Sequence, residues 1–203
     1  MITCKELRQR ARNSLDNKIF GKTWLLMIVV TLITGAVSSA EAAVGSIIPV
    51  IGTSIAPMIV AGPMAVGTAV YLLNVVYNRK DKNNLVTLFL SFKNGKTYVA
   101  ALLQSVYVFL WSLLFVVPGI VKSYSYSLTY YIMAENPDMT ANEAITESRR
   151  LMDGYKMKMF LLDLSFIGWM IVGFLTCGIA MIWVGPYMSA ARAELYKEIK
   201  ASK

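Results

Sequence analysis

Few residues of this chain are placed to do chemistry. Asp163 lies in the apolar run KMFLLDLSFIGWMIVGFL with Ser165 two positions on, and Lys122 stands in a second run, GIVKSYSYSLTYYI. An ionisable side chain inside an apolar span is costly, so by default it marks a solute path, a proton relay or a structural pairing. Asp163 falls about two turns into its span, where its carboxylate could change charge or hold a solute. The preferred reading is an anchor, with the carboxylate near the inner headgroups and paired with Arg149, Arg150 or a tyrosine hydroxyl. Lys122 falls one turn from the outer end of its span and is expected to snorkel outward.

Other chemistries lack their residues. The chain has no His, which removes the commonest general base and metal ligand. The only two cysteines, Cys4 and Cys177, are too few for a zinc site and belong to opposite sides of the topology below, so no disulfide is expected. No nucleophile, base and acid can be assembled, because Asp163, Glu41 and Glu135 fall at different depths. The expectation is a protein that is not an enzyme and needs no cofactor or metal. Asn74, Gln104 and the tyrosine-rich face Tyr124, Tyr126, Tyr130 and Tyr131 are read as helix-packing groups. Gly168-Trp169 is read as a point of close helix approach.

The elements that would hold these residues are apolar helices. With 203 residues, 56% of them hydrophobic and only 16% charged, the chain is too apolar for an ordinary globular domain. From Gly154 to Glu194 it reads as two apolar helices back to back, broken at Thr176-Cys177-Gly178. Lys96 to Val117 gives a further span of about 33 Å, turned at Pro118-Gly119. Ile120 to Glu135 returns and Asn136-Pro137 ends it. Trp24 to Ala40 is the first span. A signal peptide cleaved at Ser38-Ser39-Ala40 is the rival there, and the long, capped basic segment before it favours a retained span. Glu41 to Gly62, interrupted by Gly45, Pro49, Gly52 and Pro57, is irregular. It is read as an outer loop leading into a kinked span, Pro57 to Tyr77, with a re-entrant segment as the alternative.

Three amphipathic helices alternate with the spans. Thr3-Cys-Lys-Glu6 and Thr140-Ala-Asn-Glu143 are capping boxes. In the first helix, 3–16, Cys4, Leu7, Ala11 and Leu15 share a face. In the second, 140–153, Ala141, Ala144, Ile145, Ser148, Leu151 and Met152 do the same. Leu85, Leu88, Phe89 and Phe92 form a shorter third face behind Asn83-Asn84.

Basic residues set the orientation. Lys5, Arg8, Arg10, Arg12, Lys18 and Lys22 precede the first span. Arg79, Lys80, Lys82, Lys93 and Lys96 follow the second; Arg149, Arg150, Lys156 and Lys158 follow the fourth; Arg192, Lys197, Lys200 and Lys203 close the chain. With Lys122 these are all 20 Lys and Arg. By the positive-inside rule both termini are cytoplasmic, with six spans in three hairpins. The fold expected is an all-α integral membrane bundle built from three hairpin repeats, each preceded by an interfacial helix: 1–78, 79–137 and 138–203. At an offset of 59, Gly95, Gly119-Ile120 and Ala134-Glu135 fall on Gly154, Gly178-Ile179 and Ala193-Glu194. At an offset of 137, Thr3, Glu6, Arg12 and Asp16 fall on Thr140, Glu143, Arg149 and Asp153.

The segments Tyr124-Ser-Tyr-Ser127, Ala134-Glu-Asn-Pro137, Met152-Asp-Gly154, Leu162-Asp-Leu-Ser-Phe-Ile-Gly-Trp169 and Pro186-Tyr187 resemble a bacterial membrane family known as domain of unknown function 975. The resemblance covers nearly the whole chain. It implies a multi-pass protein of the bacterial cytoplasmic membrane. It also implies distant similarity to the membrane region of some glycerophosphodiester phosphodiesterases. No activity or catalytic residue comes with it.

The net charge of +8 is borne by segments flanking apolar helices, so lipid headgroups are the expected partner and nucleic acid is not. The function expected is non-catalytic binding of lipid or a partner, either another membrane protein or a second copy, through the basic face. Arg8, Arg12, Arg149 and Arg150 are the candidate contacts to anionic headgroups. A small transporter or transport subunit is the alternative, with Asp163, Ser165 and Lys122 as its candidate polar site.

Overall fold

The computed structural model describes residues 3–15, 22–47, 56–77, 79, 86–114, 116–176, 178 and 180–202. Asn83-Asn84, Cys177, Asp16 and the Pro49–Gly52 part of the irregular segment lie outside these. Among the described residues there are helices and no strands. In chain order they are α1 (Cys4–Ser14), α2 (Lys22–Ile47), α3 (Ala56–Val76), α4 (Val86–Leu90, continued by a 3-10 turn at Ser91–Lys93), α5 (Gly95–Leu114), α6 (Val116–Tyr126), α7 (Thr129–Glu135), α8 (Ala141–Leu151), α9 (Lys156–Leu164), α10 (Ile167–Leu175) and α11 (Met181–Ser202).

Both capping boxes form. Glu6 N donates to Thr3 Oγ1 at 3.3 Å and Thr3 N donates to Glu6 Oε2 at 2.7 Å. The Thr140 box repeats this at 3.4 and 2.8 Å. Two orphan amides are satisfied at each helix start. The exposed Glu6 carboxyl is held below its ordinary range by the Thr3 amide and hydroxyl, and Glu143 by the Thr140 hydroxyl and amide. The faces also correspond: Leu7, Ala11 and Leu15 are buried on the first helix, and Ala144, Ser148 and Met152, 137 positions later, are buried on the second side.

The helix ends correct three expectations. The segment from Glu41 is not irregular at its start, since α2 continues to Ile47. Glu41-Ala-Ala is good helix sequence, and Gly45 alone costs only about 1 kcal/mol. Pro118-Gly119 is not the hairpin turn. It lies in the first turn of α6, where the missing Pro amide would have no intrahelical acceptor anyway. The run Ile120 to Glu135 is not one helix, because it breaks at Ser127–Leu128.

A matching break at Ser165–Phe166 separates α9 from α10. Each break carries a serine that folds back onto its own helix: Ser127 Oγ donates to Tyr124 O at 2.8 Å, and Ser165 Oγ to Leu162 O at 2.7 Å. Such back-bonding competes with the helical ladder and bends it. Gly178 takes φ +90° between α10 and α11, as the expected turn requires, whereas Gly119 is helical. The two glycines matched at the offset of 59 are therefore not structurally equivalent.

α3 is the hub, packing against α2, α4, α5, α7 and α11. Two glycines allow this. A Cβ on Gly62 would lie 2.5 Å from Ala101 Cβ, and one on Gly67 would lie 2.3 Å from Leu88 O. Gly168, read from sequence as a close approach, has nothing within 4 Å. The short amphipathic helices cross between hairpins. α4 packs on α3; α8 packs on α5, α6 and α7; α1 packs on α11 and α9.

Large apolar side chains face outward in helical register: Leu25, Val29 and Leu32 on α2, and Val99, Leu102, Val106 and Leu110 on α5. On α10, Phe174 is 86% exposed and Leu175 is 74% exposed. Continuous apolar surface on this scale marks contact with a partner or a membrane. Among the described residues one helical stretch, Lys156–Leu175, is long and apolar enough to cross a membrane, and Trp24–Ala36 and Gly62–Val76 are shorter apolar stretches.

Candidate functional site

The two breaks aim side chains at each other. Asp163 stands two residues before the break in α9, and Tyr124 three residues before the break in α6. The Tyr124 hydroxyl donates to Asp163 Oδ2 at 3.3 Å. From α11, Arg192 donates to Asp163 Oδ1 through Nε at 3.0 Å and Nη2 at 2.9 Å. Asp163 thus pairs with Arg192 and a tyrosine rather than with Arg149 or Arg150.

These three groups line an open cavity of about 560 Å³ between α3, α5, α6, α7, α9 and α11. Gln104, Thr68 and Tyr130 lie in the same wall. Gln104 Oε1 and Thr68 Oγ1 are buried, and among the described residues neither has a hydrogen-bond partner. A buried acceptor or hydroxyl left so costs about 1–3 kcal/mol unless water or a ligand meets it. The wall is thus polar and hydroxyl-rich, and its two charges, Asp163 and Arg192, offset each other.

Gln104 and the tyrosines, expected as helix-packing groups, and Arg192, expected with the cations that close the chain, thus meet at one wall. The spacing did hold a signal for the pair. Residues 163 and 192 are equidistant from the Cys177–Gly178 turn, so antiparallel pairing alone brings them together. The same register places Lys158 Nζ 2.8 Å from Glu198 Oε1 and the Tyr155 hydroxyl 2.9 Å from Ser202 Oγ. Ser165 does not face Asp163's ligands. Its hydroxyl bends the helix, and its carbonyl accepts from Arg8 Nη1 at 3.3 Å, which ties α1 to the break.

Lys122 is the clear correction. Its ammonium sits 4.4 Å over the Trp111 ring, and it lines a small cavity together with Arg149, Tyr107 and Thr146. Lys122 and Arg149, expected on opposite sides, thus meet at one cavity. The reason is tertiary: α8 lies along the second hairpin instead of below it, with Ser148 Oγ donating to Ser125 O at 2.8 Å in a buried contact. Arg150 pairs with Glu147 on the exposed face of α8 at 2.6 Å. Arg12 is exposed and Arg8 half-buried on α1. Among the described residues no three His, Cys, Asp or Glu side chains cluster as a metal site would need.

The chain is thus an all-helical protein with apolar outer faces and a polar cavity between broken helices. Its family is defined by sequence. The model of the family described as "Protein of unknown function (DUF975)" matches residues 1–125 and 115–203, and the chain belongs to that family. Neither a curated protein nor a solved structure matches it.

Proposed function

We propose that this is a non-catalytic, multi-pass protein of the bacterial cytoplasmic membrane that binds a small polar solute between its helices, the step on which a transport subunit depends. The observation that carries the reading is the cavity of about 560 Å³ at Asp163, whose wall gathers Arg192, Gln104, Thr68 and the hydroxyls of Tyr124 and Tyr130. The mutually offset charges of Asp163 and Arg192 favour a solute without net charge that exchanges hydrogen bonds with hydroxyl and amide groups. Six spans in three related units, with both termini cytoplasmic, remain the arrangement proposed. The outward apolar faces, the equivalent faces of α1 and α8, and the way each amphipathic helix packs on another unit's hairpin support it. Binding of lipid through the basic face, the other reading, is supported by the exposed arginines of α1.

Thiol accessibility tests the cavity without knowledge of the solute. In a background with Cys4 and Cys177 replaced by Ser, Gln104→Cys and Thr68→Cys should react with a small, charged methanethiosulfonate reagent in membranes. Leu110→Cys, on the outward apolar face at 54% exposure, should not. Protection of positions 104 and 68 equal to that of position 110 would mean that water does not reach the cavity, and the reading would fail.

A further inference from the structure

Three of the four tryptophans of the chain, Trp24, Trp169 and Trp183, come together although they start from three different helices or turns. With Arg8, Arg12 and Tyr187 they line a groove of about 520 Å³ between α1, α2, α10 and α11. The groove is separate from the Asp163 cavity. Among the described residues neither of its two basic residues has an acidic partner: the ion pairs there are Arg150–Glu147, Lys158–Glu198, Arg192–Asp163 and Lys200–Glu135. Arg8 spends one N–H on the Ser165 carbonyl. The indole Nε1 atoms of Trp24 and Trp183 are both buried and bond to no protein acceptor. An indole N–H donates only, so both ask for an oxygen.

The groove has two compartments. Arg8, Arg12 and Tyr187 also line an adjoining cavity of about 570 Å³, whose remaining wall is polar: Lys5, Gln9 and Asn13. Trp169 belongs to α10, a helix rich in exposed apolar side chains, where Ile171 is 56% and Phe174 86% exposed. Two cations and a tryptophan-lined apolar wall in one groove are complementary to an anionic amphiphile. Tryptophan suits this boundary, because its ring is apolar and its N–H is polar.

We infer that the groove between α1 and the α10–α11 hairpin binds one anionic phospholipid, its phosphate between Arg8 and Arg12 and its acyl chain along Trp169 and Trp183. The tryptophan rings supply the apolar wall against which that chain packs. This goes beyond a basic surface attracted to charged membranes, because the site is one lipid in one orientation.

The location of the tryptophans supplies the assay. Full-length protein in phosphatidylcholine vesicles is titrated with phosphatidylglycerol brominated on its acyl chains, and tryptophan quenching is compared with that from brominated phosphatidylcholine. Each arginine near an anionic group contributes about fivefold, so two give an expected preference for phosphatidylglycerol of about twenty-fivefold. Arg8→Gln with Arg12→Gln should bring the preference close to one. Arg10→Gln, exposed on α1 and outside the groove, should leave most of it. Soluble glycerol phosphate should not relieve the quenching. Equal quenching by the two wild-type titrations overturns the inference whether or not the variants fold. Equal losses in Arg10→Gln and in the double variant overturn it in favour of diffuse surface charge. Relief by glycerol phosphate overturns it in favour of a soluble phosphate ligand. Loss of thiol access to the Asp163 cavity would bear on neither outcome.

Discussion

Replacing Asp163 by Ala leaves the Arg192 guanidinium without its carboxylate and the Tyr124 hydroxyl without its acceptor. The cost follows from where the pair sits. A fully exposed pair contributes about 0.2–1 kcal/mol, and breaking a fully buried one costs about 3–5 kcal/mol. The side chains here are 19% exposed for Asp163 and 39% for Arg192, between those limits, so Asp163→Ala should cost about 2 kcal/mol. Asp163→Asn is different. Its carbonyl oxygen still accepts from Arg192, and the rotatable Tyr124 hydroxyl can turn to accept from the amide. Only the charge is lost, at a cost of about 0.6–1 kcal/mol, the range of single hydrogen bonds in membrane proteins. Arg192→Ala should resemble Asp163→Ala, and the double variant should cost about 1 kcal/mol less than the two singles together. Equilibrium unfolding of the purified protein in mixed micelles, followed by circular dichroism, measures all four. Asn as costly as Ala would mean that charge, not geometry, holds the hairpin. A cost below about 0.5 kcal/mol for Ala would mean that the pair is solvated and anchors nothing. A stable Asp163→Asn protein that fails to complement a deletion phenotype would assign the carboxylate a titrating role.

Three further predictions concern the scaffold. Because the folded-state acidity of Glu6 and Glu143 is increased by their Thr partners, the capping contribution is present above the ordinary glutamate range. It is lost as pH falls through the lowered folded-state value, so helicity should drop on acidification, and Thr140→Ala should cost about 1 kcal/mol already at neutral pH. Gly67→Ala drives a Cβ into the Leu88 backbone and should destabilise by about 1–3 kcal/mol; Gly168→Ala, with open space around it, should be tolerated in the same denaturation series. Lys122→Cys and Arg149→Cys should respond alike to a membrane-impermeant thiol reagent on intact cells, since they line one cavity, and opposite responses would refute the packing of α8 on the second hairpin.

Much of this architecture is local and was therefore legible. A capping box is closed within four residues, so Thr3 to Glu6 and Thr140 to Glu143 announce their helices wherever these pack. Apolar runs report a helical chain with outward apolar faces because burial patterning is read residue by residue. The turn at Gly178 needs a positive φ that Gly tolerates and most residues do not. The amphipathic faces of α1 and α8 are buried as their spacing required. Where local signals conflicted, the expectation erred. Proline at 118 marks either a turn or a helix's first turn, and Gly45 lies in a segment whose alanines favour helix.

What the tertiary structure alone decided is which distant polar groups meet. Gln104, Thr68, Tyr124, Asp163 and Arg192 belong to five helices, and nothing in the spacing of the first three directs them to one cavity. Tyr124 and Asp163 lie just before the breaks at Ser127 and Ser165, and serine sits in straight helices often enough that neither break was readable in advance. The same holds for Lys122, whose neighbours are set by α8 crossing to another hairpin, and for the tryptophans gathered around Arg8 and Arg12. Contacts within a helix depend on spacing along the chain. Contacts between helices depend on how whole faces choose partners, and that choice is made by the sum of many weak packing terms that no single motif carries.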